Sequence, residues 1–191
     1  MDSLSACRPP IGGNGDTVAP TPGRAVRRRG VDYVLFVLPP LLIGLALANL
    51  LATGSYDLPQ LVGDRRTAIF DLWSLQHFCA GILLGALLTR TALASAPWRS
   101  FLLFSVLLAL FWEAAELAME AGWFGAAISN WKDGFEHWSN RLVGDPLMVS
   151  IGSLIGRRYA RAWKIVLAPV TIWLLINVTS PSSMYIQRHL F

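Results

Sequence analysis

Hydrophobic residues fall into five long runs, at about 31–53, 72–93, 101–122, 142–156 and 165–178, set apart by polar or basic connections. A helix needs roughly 20 apolar residues to cross a bilayer, and most of these runs approach that length. The pattern predicts an all-α, integral membrane helical bundle with about five transmembrane helices, a single domain over 31–191. Residues 1–30 are rich in Pro, Gly and Arg and nearly free of apolar clusters, so they read as a disordered basic cytoplasmic tail that cannot offset its ordering entropy. Arg27-Arg28-Arg29 stands directly before the first run. Ala46-Leu47-Ala48 resembles a signal-peptide cleavage site, but the run is too long for an ordinary signal core and reads better as an uncleaved span. Pro39-Pro40 should kink or divide it.

Composition agrees with the runs. Of 191 residues 54% are hydrophobic and 15% charged, against about 25% charged in an ordinary soluble domain. The net charge of +4 does not point to nucleic acid, because the basic residues lie between runs and not on one face. They sort by side instead. With the N-terminus cytoplasmic, that side holds 11 of the 16 Lys and Arg residues, and Arg65, Arg66, Lys132, Arg141 and Arg188 lie outside. This positive-inside asymmetry favours an external C-terminus. Trp98 and Trp163 then fall at the inner interface, Trp73 and Trp123 at the outer one. Cys7 and Cys79 do not form a disulfide framework, and Cys79 reads as a small core residue. The Asn177-Val178-Thr179 sequon abuts the last span and reads as chance.

Four polar residues interrupt the apolar pattern at one depth. Glu113, Glu116 and Glu120 form a stripe at i, i+3 and i+7. At 1.5 Å per residue Glu116 and Glu113 lie about 9 and 13 Å below the outer end of the third run, and His77 about 8 Å below that of the second. Asp145 opens the fourth run at the same end. A carboxylate at mid-membrane costs roughly 2.5 kcal/mol or more on insertion scales, so each needs a partner. His77-Gly81-Gly85 and Asp145-Gly152-Gly156 each carry a polar residue above glycines, which would let the second and fourth helices approach closely.

Each polar residue also has a plain structural reading. Glu120 lies near the interface and reads as solvated; Glu113 and Glu116 would bridge helices, for example to Arg141. Trp131, Phe135 and Trp138 recur at i, i+4 and i+7, an interfacial amphipathic segment with Glu136 and His137 on its wet side; a lid over the cluster is the sharper alternative. Phosphate-loop, His-Glu-x-x-His, Cys-x-x-Cys and Gly-x-Ser-x-Gly signatures are absent. His77, Glu113, Glu116 and Asp145 offer donors for Zn, Mn or Fe, although Glu113-x-x-Glu116 lacks the Glu-x-x-His pairing of di-iron bundles, and no cofactor is assigned. The same carboxylates suit a proton relay or general acid.

His77-Phe78-Cys79-Ala80-Gly81, the acidic helix after it, and Arg141-Leu142-Val143-Gly144-Asp145 running into Ile151-Gly152-Ser153-Leu154-Ile155-Gly156 resemble the VanZ-like and YjdF-like small multi-span bacterial proteins over roughly residues 70–158. Val149 stands where the VanZ pattern commonly has Asn. The resemblance implies a bacterial inner-membrane location more firmly than an activity. Three functions stay open. In the first, His77, Glu113, Glu116 and Asp145 act on or bind a lipid-linked or envelope substrate at the outer leaflet, with Asn140 and Arg141 at the entrance. The second is a small proton-coupled transporter, and the third a structural protein whose acids hold helices together. Membrane lipids are the expected partners, and whether the protein is an enzyme stays open.

Overall fold

The computed structural model describes residues 22–54 and 56–179, with side chains from Phe36 onward. The chain is mostly helical, as the runs predict. Its helices are α1 (Pro22–Thr53), α2 (Leu72–Leu88), α3 (Trp98–Glu120), α4 (Ala126–Lys132), α5 (Asp145–Arg158) and α6 (Trp163–Thr179). Two of them, Phe36–Thr53 within α1 and all of α3, are long and apolar enough to cross a membrane. α1 begins inside the stretch read as a disordered tail and is not divided at Pro39 and Pro40; residues 1–21, with Cys7, lie outside the described residues.

Local signals explain the helix ends. Asp71 and Ser74 form a capping box at the start of α2, the Asp71 carboxylate accepting from Ser74 N at 2.9 Å. α2 stops at Leu88, short of the predicted 93, and a 3-10 turn over Ala92–Ser95 leads to α3. Before α5 the chain makes one wide π turn, Asn140–Gly144, in which Asp145 N bonds to Asn140 O. Pro146 follows at the helix start without an N–H of its own. A short pair of strands unforeseen in the sequence, β1 (Gln60–Val62) and β2 (Ala68–Phe70), runs parallel in the first connection. Gly144 receives β2 closely: a Cβ there would strike the Ile69 carbonyl.

The glycine faces meet as expected. A Cβ at Gly81 or Gly85 would run into the Val149 or Ser153 carbonyl of α5, and one at Gly152 or Gly156 into the Phe78 or Ile82 carbonyl of α2. The two backbones therefore touch, with no side chain able to yield. Gly152→Ala should force them apart and cost about 1–3 kcal/mol, as overpacking does; thermal unfolding in mild detergent measures it, and an unchanged midpoint would contradict the contact.

Connections alternate between the two ends of the bundle. The 54–71 segment meets the 123–139 segment, His137 N bonding to Arg65 O at 2.9 Å and Trp138 Nε1 to Asp57 O at 3.0 Å. At the other end Arg157 reaches the carbonyls of Ala94 and Ala96. The interior is unusual in chemistry. Among the described residues, seventeen buried side chains are polar or charged and thirteen apolar, while Phe36, Leu51, Leu75, Phe111, Ile165 and Ile172 face outward. A small apolar core of Leu45, Leu110 and Leu117 joins α1 to α3.

Candidate functional site

The polar interior lies where three helices and two connections converge. Glu113 and Glu116 come from α3, His77 from α2 and Asp145 from the head of α5, all buried. The structure thus brings all four sequence-predicted residues together. Ligand atoms of His77, Glu113 and Asp145 lie within 4.8 Å of one another, as do those of Glu113, Glu116 and Glu136.

Arg141 is the hub. The π turn points it inward, wholly buried, where Nη1 donates to Asn49 Oδ1 and Nη2 to Glu120 Oε2, each at 2.7 Å, and Nη2 also to Glu136 Oε2 at 3.2 Å. Its Nε stands 3.9 Å from Glu113 Oε2, beyond hydrogen-bond range. Both Asn140 and Arg141 have no exposed surface, which corrects their placement at an entrance: the π turn rotates them into the bundle. Arg141 positions carboxylates from within.

The connections supply two more cations. Asp133 and Gly134 both adopt positive φ at the end of α4 and turn the chain back over the site. Lys132 Nζ consequently pairs with Glu116 Oε2 at 2.9 Å and lies over the Trp73 and Trp131 rings at 5.5 and 5.6 Å. Glu116 Oε1 accepts from Trp112 Nε1 at 2.8 Å. Arg65 pairs with Glu120 Oε1 and donates to Lys132 O.

Several expectations need correction. Glu120 is buried between Arg65 and Arg141, not solvated. Glu136 is 2% exposed and bound to Arg141, not on the wet side of an amphipathic segment. Trp73 is buried, with Lys132 Nζ over its ring. Cys79 is half-buried. Asn177 is 3% exposed and its carbonyl accepts from Trp131 Nε1.

Charges balance only partly. Arg65, Lys132 and Arg141 satisfy Glu116, Glu120 and Glu136. Asp71 is held at the start of α2 by its capping box; burial nevertheless raises its pKa above the ordinary carboxyl value, the Ser74 hydrogen bond opposing this only in part. Three groups remain. Neither oxygen of Glu113, 0% exposed, receives a hydrogen bond. Asp145 Oδ1 accepts from Ser74 Oγ at 2.8 Å. Its Oδ2 lies 3.1 Å from His77 Nε2, yet without hydrogen-bond alignment.

Glu136 gives the site a pH dependence. Burial, with Glu116 and Glu120 beside it and against the pull of Arg141 and Arg65, pushes its pKa from 4.5 up to about 7. The folded state therefore binds a proton that the unfolded chain releases between those values, and this group's contribution falls as pH rises from about 4.5 to 7, by on the order of 3 kcal/mol. Melting in detergent should be highest on the acid side of that window, and Glu136→Gln should flatten the slope; an identical slope in the variant would refute the assignment.

No family model matches the chain, and neither a curated protein nor a solved structure matches it.

Proposed function

We propose that the chain is an integral protein of a bacterial inner membrane, spanning it five times with its N-terminus cytoplasmic and its C-terminus external. In this reading His77, Glu113, Glu116 and Asp145 form an acid–base centre at the depth of the outer leaflet that serves a lipid-linked or envelope substrate. The inverted chemistry of the bundle supports the membrane setting: intramembrane ionisable residues face the bundle interior and pair there. α2, α5 and α6, of 17, 14 and 17 residues, are about 21–26 Å long at 1.5 Å per residue and gain length from the turns at their ends. A kinship with VanZ-like and YjdF-like proteins is part of this reading.

The observation that carries the functional reading is Glu113, a wholly buried carboxyl that receives no hydrogen bond at either oxygen. Helix-holding alone accounts for Glu120, gripped by Arg65 and Arg141. It leaves Glu113 as a cost with no return. A proton-coupled carrier would use the same acids, but the opposite halves of the spans carry almost no ionisable groups to continue a path.

Native mass spectrometry of protein extracted with its own membrane lipids tests the reading. The wild type should retain a lipid-linked phosphate or sugar that His77→Ala and Glu113→Gln lose. Identical lipid complements in all three would overturn it.

A further inference from the structure

We infer that His77, Glu113 and Asp145 form a binding site for one divalent transition-metal ion. The inference rests on the reading of these residues as the functional centre and names the ion that the centre would use.

Charge is the first argument. With Glu116, Glu120 and Glu136 assigned to Lys132, Arg65 and Arg141, the trio holds two carboxylates and one imidazole in a buried site. A dication would balance both carboxylates as they ionise on binding it, and among the described residues no Lys or Arg nitrogen is paired with either at hydrogen-bond distance. Buried carboxyl oxygens that no donor meets are costly in a low-dielectric interior.

Geometry is the second. His77 Nε2 and Asp145 Oδ2 stand 3.1 Å apart without a hydrogen bond between them. Two ligands bound at 2.0–2.1 Å to one tetrahedral ion are about 3.3 Å apart. Glu113, with both oxygens unengaged and within 4.8 Å of the other two ligand atoms, supplies the third donor. Ser74 Oγ holds the far oxygen of Asp145 at 2.8 Å, the outer-shell hydrogen bond that orients metal-bound carboxylates. The elements are rigid where it matters, since the glycine contacts of α2 and α5 fix His77 against Asp145.

The donor set selects the class of ion. One imidazole with two carboxylates suits Zn2+, Mn2+ or Fe2+ better than Ca2+ or Mg2+, which prefer oxygen alone. Three protein ligands leave a coordination position open, as in catalytic sites.

The test uses full-length protein in mild detergent, purified on a tag without histidine, stripped with chelator and titrated with Zn2+ and with Mn2+. Wild type should take up one ion per chain with a rise in melting temperature. Glu113→Gln and His77→Ala should lose both effects, and Ser74→Ala should weaken binding by about 10–100-fold. Glu136→Gln should bind as wild type does. Glu113→Gln removes no hydrogen bond, so it keeps the test valid even if His77→Ala fails to fold. A wild type that takes up neither ion, or a Glu113→Gln protein that binds like the wild type, would overturn the metal site. Lipid retained by a protein that binds no metal would leave the acid–base centre standing and refute the ion alone; loss of both would end both readings.

Discussion

Replacing Arg141 with methionine should lower the stability of the bundle by about 3–5 kcal/mol, the cost of stranding a buried charge by removing its partner. The guanidinium bonds Asn49, Glu120 and Glu136 at once, so its loss leaves two carboxylates crowded and one amide oxygen without a donor. Thermal or denaturant unfolding in detergent measures the loss. The double variant Arg141→Met with Glu136→Gln should recover part of it, because Glu120 keeps Arg65 whereas Glu136 is paired with Arg141, and a neutral amide there no longer needs the cation; a double variant no more stable than Arg141→Met would place the energy elsewhere than in the ion pair.

Glu113→Gln should do the reverse. Its carboxyl receives no hydrogen bond and its closest cation is 3.9 Å away, so stability should hold within about 1 kcal/mol or rise, since the substitution breaks no hydrogen bond and removes an ionisable group from a buried site. Ligand retention should nevertheless vanish. These two outcomes together would separate Glu113 from Arg141: the first residue would serve the proposed function at the expense of the fold, and the second the fold. A Glu113→Gln protein as destabilised as Arg141→Met would make Glu113 a structural residue.

The parts of this organisation legible in the sequence are those governed by helix periodicity. Glu113, Glu116 and Glu120 share a stripe because 3.6 residues complete a turn, and His77 with Gly81 and Gly85 marks a face that only a close neighbour can fill. Antiparallel alternation then set Asp145 at the same depth. Periodicity carries no information on how a connection folds back. Arg65 and Lys132 therefore read as topology signals, whereas they turn inward and pair with Glu120 and Glu116. Glu136 sits beyond two residues of positive φ, Asp133 and Gly134, which end α4 before the amphipathic pattern through Trp138 can be realised. Arg141 lies inside and not at an entrance because a π turn, five residues per hydrogen-bonded loop, rotates it relative to a regular helix. Two signals were available. Asn49 is a lone amide in an apolar run, and acids this numerous in a bundle interior require cations from somewhere.

In the proposed topology these helices cross a membrane with the polar cluster toward its outer face. Single cysteines at Trp123, 81% exposed in the connection beside the cluster, and at Ala94, exposed in the turn at the opposite end, decide it when placed in a background lacking Cys7 and Cys79. With a membrane-impermeant thiol reagent added outside intact cells, position 123 should label at once and position 94 only after the membrane is permeabilised. Labelling of position 94 with protection of 123 would invert the topology, and equal labelling of both in intact cells would contradict a membrane-spanning bundle.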